Sequence, residues 1–511
     1  MQRVLVANRG EIAVRVIRTL RDLGLTSIAV YSDPDRAALH VLLADEAYRV
    51  GEGLARESYL HIPRLIEVAK RARADAVHPG YGFLSENSEF AQAVLDAGLV
   101  FIGPPPRVIA DLGNKLAARE IARKAGAPLV PGSPGPLADA VEAARMARTL
   151  GFPLMLKAAA GGGGKGMRVV RSEAEVASAL ELTRGEAKAA FGDDSVYLER
   201  FVERPRHVEA QILADAHGNV VFLGERDCSV QRRHQKVVEE TPSPVFTPAI
   251  RERFAEAACS IARTAGYVNA GTVEFIADAS GNFFFLEVNT RLQVEHPVTE
   301  VVTGLDLVAE QVKIADGQKL ALPATALSPR GASMQCRLYA EDPSRNFLPS
   351  AGEIRRLRLP QGPGVRTDAG VYHGFRVPME YDPLIAKVIS WGEDRAQALA
   401  RMRRALDETV VEGVASNVAF HRWLLAQPEF AAGEVHTGFL GERFSAASLA
   451  PSTEAEEVAL LAASLHAHAR ALSVRPVEHG GSGWKFADRA GSALLRAGSG
   501  KARSARNGGD T

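Results

Sequence analysis

The sequence predicts an α/β fold that changes to α+β in its central and C-terminal parts. Short apolar strands alternate with amphipathic helices at the N-terminal end, which is the pattern of a parallel sheet. From Arg204 onward the pattern becomes strands joined by short turns, followed by further helices. A chain of 511 residues is too long for a single hydrophobic core, so we expect about three subdomains.

The N-terminal sheet is predicted from four short apolar runs. These are Arg3–Asn8, Ser27–Tyr31, Ala76–Val77 and Leu99–Ile102, and a helical pattern, EIAVRVIRTLRDLG, follows the first. The Pro- and Gly-rich segment Gly126–Gly135 is a linker by composition. Further on, we predict strands Pro153–Lys157 and Arg168–Val170 and helices around Ala174–Thr183 and Glu454–Val474. Gly480–Thr511 is glycine-rich and basic with few large apolar residues, which predicts disorder.

Composition excludes several classes of function. Basic and acidic residues both number 61, so no overall field attracts nucleic acid or an anionic membrane. The N-terminus carries charge inside its first apolar run, unlike a signal peptide, and no run of about eighteen apolar residues suggests a membrane span. Cys228, Cys259 and Cys336 have neither metal-ligand spacing nor a disulfide framework. We therefore expect a cytoplasmic protein with no membrane or nucleic-acid partner.

A glycine tract at 161–164 is the first candidate for binding chemistry. Four consecutive glycines followed by Lys165 and Gly166 allow the backbone to approach an anion closely. No Ser or Thr follows Lys165, so the tract is not a Walker loop. A flexible loop is the alternative, but Lys157 on the preceding strand favours a mobile lid over a polyphosphate.

The second candidate is a hairpin that turns at Ser280-Gly281. Paired residues in such a hairpin have numbers that sum to 561, which places Glu274 opposite Glu287. Facing carboxylates repel unless a cation lies between them or one is protonated. A shifted register and a solvent-exposed face are the alternatives.

Polar side chains continue from this hairpin with a period of two. They are Glu287, Asn289, Arg291, Gln293 and Glu295. An extended strand would present all five on one face. A solvated edge strand is the alternative, but the set suits a metal–nucleotide site beside an anion site. We therefore predict Glu274, Glu287 and Asn289 as Mg²⁺ ligands, Arg291 as an oxyanion ligand and Glu295 as a base.

A third candidate combines a polar strand with a cationic loop. His207, Glu209 and Gln211 alternate with apolar residues, and the charged run 225–236 follows. Such a run is usually a solvated surface. Its cations nevertheless suit phosphate and bicarbonate.

Together these motifs resemble the biotin carboxylase family of the ATP-grasp superfamily. The resemblance runs from residue 1 to about 445 and rests on VANRGEIAVRV (6–16), HPGYGFLSEN (78–87), KAAAGGGGKGMR (157–168), ERDCSVQRRHQKVVEE (225–240), EVNTRLQVEHPVTE (287–300), CRLYAEDP (336–343) and YDPLIAK (381–387). It implies an ATP-grasp fold with a Rossmann-like N-terminal domain (1–113), a linker helix (114–130), a mobile glycine-rich lid (131–203), a catalytic core (204–330), a mixed α/β C-terminal domain (331–445) and a helical extension with a disordered tail (446–511).

The resemblance also implies a reaction, namely ATP- and bicarbonate-dependent carboxylation of biotin through carboxyphosphate. It implies that ATP contacts Lys115, Lys157, Gly161, Gly162, Gly163, Gly164, Lys165, Gly166, Glu199, His207, Gln231 and His234. It places Mg²⁺ or Mn²⁺ on Glu274, Glu287 and Asn289. It implies that bicarbonate and biotin contact Lys236, Arg291, Gln293, the Val294 backbone and Arg337. Glu295 is the implied base, and Arg337 the implied ligand of the biotin enolate.

Partners follow from the same resemblance. No lysine lies between methionines as in a biotinylation site, so we expect biotin on a separate carrier protein, with a separate carboxyltransferase and a homodimeric assembly. Asn114 and Arg200 depart from the family pattern and leave the adenine contacts open. The alternatives are another ATP-grasp ligase, such as a carbamoyl-phosphate-synthetase-like enzyme, and a non-catalytic ATP-binding scaffold.

Overall fold

The computed structural model describes residues 1–159, 166–278 and 280–472. The chain divides into two compact units, Met1–Leu449 and Ala450–Thr511. Gly161, Gly162, Gly163, Gly164 and Lys165 lie outside the described residues, and so does the segment 480–511 for which disorder is predicted.

The first unit begins with a five-stranded parallel sheet and its helices. Its strands are β1 (Arg3–Val6), β2 (Thr26–Ser32), β3 (Glu46–Gly51), β4 (Ala76–His78) and β5 (Val100–Phe101), and its helices are α1 (Gly10–Asp22), α2 (Leu39–Leu43), α3 (Ile62–Arg71), α4 (Ser88–Asp96) and α5 (Pro106–Gly113). The strand order is β3-β2-β1-β4-β5, so the predicted parallel sheet is confirmed. Strand β3 was not predicted, because this edge strand is mostly half-buried and lacks the apolar run of its neighbours.

A smaller antiparallel sheet follows. Its elements are α6 (Lys115–Lys124), α7 (Ala140–Leu150), β6 (Leu154–Ala158), β7 (Met167–Val170), α8 (Glu173–Phe191) and β8 (Val196–Arg200). The order is β7-β6-β8, so the two predicted strands on either side of the glycine tract pair with each other. Leu154, Leu156 and Leu198 on the sheet pack against Leu180 of α8 in a small core of their own.

The rest of the first unit is built on strands β9 to β22. The strands are β9 (Arg206–Ala214), β10 (Val220–Arg232), β11 (Gln235–Thr241), β12 (Asn269–Ala277), β13 (Phe283–Asn289), β14 (Ala332–Tyr339), β15 (Glu341–Asp342), β16 (Leu348–Pro349), β17 (Gly352–Glu353), β18 (Arg356–Arg358), β19 (Val365–Ala369), β20 (Arg376–Val377), β21 (Leu384–Gly392) and β22 (Val410–Glu412). The helices are α9 (Pro248–Ala265), α10 (His296–Thr303), α11 (Leu307–Ala315), α12 (Arg395–Glu408), α13 (Val418–Ala426), α14 (Pro428–Ala432) and α15 (Phe439–Arg443). The second unit contributes α16 (Thr453–Leu472).

One large sheet carries most of the residues of interest. Its eight strands follow the order β13-β12-β9-β10-β11-β14-β21-β19, with antiparallel pairing throughout. Pairing between β11 and β14 crosses the predicted domain boundary at residue 330. The sheet therefore places side chains from the predicted core and from the predicted C-terminal domain side by side. The boundaries proposed inside the first unit stay predictions.

The two faces of this sheet differ in character. Val208, Ala210 and Ile212 on β9 join α9 and α6 in a hydrophobic core that is organised around the fully buried Phe254. The alternating residues His207 and Glu209 therefore point to the opposite face. This alternation reserves one face of the sheet for polar side chains.

The cysteines and the helices of the described residues complete the fold. Cys228, Cys259 and Cys336 are all free and buried. Among the helices of the described ranges, none has the length and apolar character needed to cross a bilayer.

Candidate functional site

A cavity of about 440 Å³ opens on the polar face of the large sheet. Ten of the predicted site residues line it: His207, His234, Lys236, Glu274, Glu287, Asn289, Arg291, Gln293, Val294 and Arg337. Its wall also contains Tyr339, Glu341, Phe347, Asp382 and Asn417 from the following segments. The structure thus brings the predicted metal, bicarbonate and biotin ligands to one cavity.

The hairpin of β12 and β13 has the predicted register at its functional end. Glu274 lies opposite Glu287, and Thr272 lies opposite Asn289. Toward the turn the pairing shifts by one residue at a bulge between Glu274 and Phe275. The facing pair of buried carboxylates predicted from the sequence is therefore present.

The predicted extended strand from Glu287 to Glu295 is wrong beyond Asn289. Strand β13 ends there, and the chain bends before α10 begins at His296. The reason is that the Thr290 amide donates to the Glu86 carboxylate, at 3.1 Å, instead of extending the ladder. The polar side chains still converge, but through a loop rather than along one strand face.

Arg291 occupies the centre of this loop. Its guanidinium donates to Glu86 at 2.9 Å, to Asn289 Oδ1 at 2.9 Å and to Gln293 Oε1 at 3.0 Å. Glu86 belongs to the HPGYGFLSEN segment, and no role was predicted for it. These three hydrogen bonds fix the positively charged Arg291 guanidinium at the wall of the cavity.

Lys236 is surrounded by carboxylates. Its ammonium donates to Glu209 at 2.5 Å, to Glu274 at 2.7 Å and to Glu295 at 2.8 Å. Burial alone would lower the pKa of Lys236, but these three negative charges raise it well above its ordinary value. Lys236 is therefore charged, and it neutralises a cluster of acids that would otherwise repel one another.

Glu295 lies between Lys236 and Arg337. One carboxylate oxygen accepts from Lys236, and the other accepts from Arg337 Nη2 at 2.9 Å. Its side chain has no exposed surface, so burial would raise its pKa, yet Lys236 and Arg337 outweigh burial and lower the pKa of Glu295. The predicted base is therefore ionised in this arrangement.

Arg337 is shared between two carboxylates. Besides Glu295, it donates to Glu239 Oε1 at 2.6 Å. Burial raises the pKa of Glu239 to about 7, with Arg337 opposing the shift and the charge of Glu295 adding to it. Arg337 keeps its charge, because these acids raise its pKa well above the ordinary value despite burial.

A second polar chain runs from β10 to the acidic pair. Gln231 Nε2 lies 2.7 Å from His207 Nδ1, and His207 Nε2 lies 2.8 Å from Glu274. Burial lowers the pKa of His207, but the Glu274 charge outweighs it and raises the pKa. His234 lies at the turn between β10 and β11 with a positive φ of 64° and lines the cavity.

The predicted phosphate lysines lie apart from the cavity lining. Lys157 donates to Glu199 Oε2 at 2.6 Å, and Arg119 pairs with the other oxygen of Glu199. Lys115 begins α6, where burial lowers its pKa. Gly166, at φ +69°, is the one residue of the glycine tract 161–166 within the described ranges, and its carbonyl accepts from the Ala158 amide at 2.8 Å.

Asn114, which differs from the family pattern, has a structural role at the start of α6. Its side-chain oxygen accepts from the amides of Leu116 and Ala117 at 3.1 and 3.0 Å, capping α6. Asn and Asp cap helices about equally well. Asn114 therefore supports the helix that carries Lys115 without the charge of an aspartate.

The residues predicted to hold Mg²⁺ fit a hard cation. Burial and the charge of Glu274 raise the pKa of Glu287, and no described residue donates a hydrogen bond to it. The Asn289 amide oxygen accepts from Arg291, at 2.9 Å, so it would exchange that donor for the cation. Two carboxylates and an amide oxygen are the ligand types that Mg²⁺ prefers, and a cation here would relieve the repulsion between the acids.

Three acidic groups and one arginine of this site were not assigned a role from sequence. Glu86, Glu209 and Glu239 hold Arg291, Lys236 and Arg337, and the fully buried Arg226 donates to Glu209 at 2.5 Å. Glu209 alternates with His207 on β9, so the same period of two offered a signal for it. Glu86 and Glu239 come from segments that are distant in sequence from the residues they contact, so no local pattern predicted their roles.

Three family models match consecutive parts of the chain. They describe the biotin carboxylase N-terminal domain over residues 1–109, the carbamoyl-phosphate synthase L chain ATP-binding domain over 114–322, and the biotin carboxylase C-terminal domain over 335–442. A biotin carboxylase of Nostoc sp. is 50% identical over 440 residues, which cover 86% of this chain and 98% of the relative. The chain belongs to the biotin carboxylase family.

Other members of the biotin carboxylase family extend the comparison. A propionyl-CoA carboxylase alpha chain of Ruegeria pomeroyi is 46% identical over 488 residues, covering 91% of this chain and 72% of that one. A solved biotin carboxylase–βγ-ATP complex from Campylobacter jejuni superposes with a TM-score of 0.83 at 43% identity, covering 86% of this chain and 99% of that one. The predicted family and ATP-grasp fold are confirmed, and a carbamoyl-phosphate-synthetase-like ligase is not favoured.

Proposed function

We propose that this protein is the biotin carboxylase of an acyl-CoA carboxylase, an ATP-dependent ligase that carboxylates biotin on a separate carrier protein. The observation that carries this proposal is the placement of Glu295 between Lys236 and Arg337 at the edge of a cavity that Arg291 and Gln293 also line. Such a cavity offers three cations to a small anion, and the candidate base lies directly behind two of them.

In the proposed reaction, bicarbonate binds to Arg291, Gln293, Lys236 and the Val294 backbone. Glu295 takes its proton, and the resulting oxyanion attacks the γ-phosphate of ATP, forming carboxyphosphate and releasing ADP. Carboxyphosphate breaks into CO₂ and phosphate, and the phosphate takes the N1′ proton of biotin. Arg337 stabilises the biotin enolate, whose N1′ then attacks CO₂. Positioning and charge neutralisation supply most of the rate, because bicarbonate is a poor nucleophile.

The nucleotide is proposed to bind across the remaining predicted residues. Lys115 and Lys157 bind phosphates, the glycine tract 161–166 closes over them, and Glu199, His207, Gln231 and His234 contact the nucleotide. Glu274, Glu287 and Asn289 would hold Mg²⁺ or Mn²⁺, which neutralises phosphate charge when bound. In the structure Lys157 is paired with Glu199, so binding of a phosphate would exchange that partner for the ligand.

ATP cleavage in bicarbonate buffer tests the proposal directly. The chain should release ADP in a reaction that needs Mg²⁺, bicarbonate and biotin, with free biotin replacing the carrier at high concentration. A carbamoyl-phosphate-synthetase-like ligase would not need biotin, and a scaffold would show no turnover. ATP cleavage without biotin at the full rate would refute the proposal.

Partners and location are proposed on the family likeness. We propose that the protein acts as a homodimer in the cytoplasm with a biotin carrier protein and a carboxyltransferase subunit. One of the solved relatives, from Hydrogenobacter thermophilus, is described as a dimer with MgADP and bicarbonate. Light scattering of the purified chain, and identification of the subunits that co-purify with it from the cytoplasmic fraction, test these points.

A further inference from the structure

Lys387 is a buried cation behind the site, and the proposed mechanism does not use it. It lies in the middle of β21, its side chain has no exposed surface, and it does not line the cavity. Burying an ammonium is costly unless it is paired and hydrogen-bonded. The groups that contact the Lys387 ammonium therefore indicate its role.

Four parts of the first unit meet at this ammonium. Lys387 Nζ lies 2.7 Å from Glu11 of α1 and 3.9 Å from Asp368 of β19, and the Tyr81 ring centroid is 5.8 Å away. Its hydrogen bond goes to the Val294 carbonyl, at 3.1 Å. Glu11 neutralises the ammonium, while the carbonyl belongs to the loop that carries Arg291, Gln293 and Glu295.

Lys387 and Arg337 hold consecutive residues of that loop. The two lie directly opposite each other on β21 and β14, so their side chains leave the same face of the sheet. Arg337 binds the Glu295 carboxylate, and Lys387 binds the carbonyl of the preceding residue. Because the peptide is planar, fixing this carbonyl also fixes the plane that contains the amide nitrogen and Cα of Glu295, from which its side chain extends.

In the proposed reaction, the two cations that contact the Glu295 carboxylate also bind the substrates. Lys236 and Arg337 line the cavity and would turn to bicarbonate and biotin, whereas Lys387 has no path to them. Glu295 stands at the N-cap of α10 but makes no capping hydrogen bond. The helix has its own anchor further on, where Glu300 accepts from Arg15 and Arg366, at 2.7 Å each.

We propose that Lys387 is a positioning residue, which holds the peptide between Val294 and Glu295 in the orientation in which Glu295 acts as the base. The proposal rests on the function proposed above. It predicts that loss of the ammonium impairs bicarbonate use and leaves ATP binding intact, because the nucleotide residues lie elsewhere in the sheet.

A matched pair of variants isolates the hydrogen bond to Val294. Glu11→Gln keeps Lys387 and its bond to the carbonyl. Glu11→Gln with Lys387→Met removes the ammonium without leaving a buried carboxylate unpaired, which would by itself destabilise the fold. Steady-state ATP cleavage with biotin gives kcat and separate KM values for bicarbonate and ATP, and thermal melting reports folding.

We expect the double variant to lose about tenfold or more in kcat over the bicarbonate KM relative to Glu11→Gln, with the ATP KM within about twofold. Equal kinetics of the two variants would overturn the positioning role, as would a parallel loss for ATP and bicarbonate.

If the double variant does not fold, Glu11→Gln with Lys387→Gln replaces it. Failure of both to fold would make Lys387 a stability residue and overturn the assignment. A wild-type protein without biotin-dependent ATP cleavage would instead overturn the proposed function, and the assignment with it.

Discussion

Glu295 combines full burial with contacts to two cations, and this environment sets both its charge and its basicity. Burial would raise its pKa, but Lys236 and Arg337 lower it, so the carboxylate is ionised at neutral pH. A carboxylate stabilised in this way is a weak base until a second anion binds the same cations and weakens their interaction with it. We therefore expect the basicity of Glu295 to rise when bicarbonate binds Lys236, at the step that requires a proton acceptor.

Glu295→Gln should lower biotin- and bicarbonate-dependent ATP cleavage by about 100-fold or more, because an amide cannot accept the proton. Lys236 keeps Glu209 and Glu274, and Arg337 keeps Glu239, so the site should stay folded. An assay of ADP release measures the rate, and the ATP KM should change little. Glu310→Gln, the same change at an ion pair outside the cavity, is the control. Turnover within about tenfold of the wild type would show that Glu295 is not the base.

Glu287→Gln should affect metal-free and metal-bound protein in opposite directions. Burial and Glu274 raise the pKa of Glu287, so its ionised form destabilises the metal-free fold. This cost is absent below the ordinary pKa of 4.5, grows as pH rises above it, and is fully present above the raised value. The variant should therefore melt at a higher temperature than the wild type in EDTA at pH 8, and the difference should vanish at low pH. The same variant should need about tenfold more Mg²⁺ for half-maximal activity. A lower melting temperature in EDTA, or an unchanged Mg²⁺ requirement, would contradict the assignment.

At the scale of the element, α9 shows how one face of the large sheet is kept apolar so that the other can be polar. The Phe254 ring lies within 4.6 Å of the Phe275 centroid, 5.1 Å of Phe246 and 5.2 Å of Phe283. These rings come from the helix, the segment before it and both strands of the hairpin that carries Glu274 and Glu287. Packing beneath the hairpin thus supports the register that brings the two acids together.

Phe254→Ala should therefore destabilise the protein by about 3–5 kcal/mol, because it leaves a cavity among these three aromatic neighbours. Denaturant unfolding followed by circular dichroism measures the free energy of unfolding. Val141→Ala on α7, where the side chain is 77% exposed, is the matched control and should cost less than about 0.5 kcal/mol. A loss for Phe254→Ala no larger than that of the control would mean that this cluster does not support the sheet.

At the scale of the whole molecule, all the predicted site residues within the described ranges lie in the first unit, Met1–Leu449. The second unit contributes the described helix α16, whose Val458, Leu460, Leu461 and Leu465 are exposed. The residues that line the cavity belong to the first unit. The chemistry is therefore expected to belong to the first unit alone.

A chain that ends at Leu449 should keep biotin-dependent ATP cleavage with free biotin, with kcat within about twofold of the full chain, because its core and site are intact. The full-length protein assayed in parallel is the reference. If activity with free biotin fell more than about tenfold while the shortened chain stayed folded by circular dichroism, the second unit would be part of the catalytic machinery.

The sequence by itself determined the features that depend on local period and turn chemistry. Alternating strands and helices predicted the N-terminal parallel sheet, and the hairpin predicted that Glu274 faces Glu287, a pairing that the structure reaches through a bulge next to Glu274. These features can be predicted locally because side chains repeat every two residues in a strand and every 3.6 residues in a helix. A tight turn also brings its two flanking strands into pairing. The family motifs added the roles of residues, which stay proposals.

Only the tertiary structure decided where β13 ends and what surrounds each charge. Glu86 stops the strand from about 200 positions away in the chain, and Lys236 reaches Glu295 across 59 positions. Arg337 reaches Glu239 across 98 positions, and Lys387 reaches Val294 across 93. Local periodicity carries no information about such contacts, because they arise only when the strands of one sheet are brought side by side and buried charges must find partners.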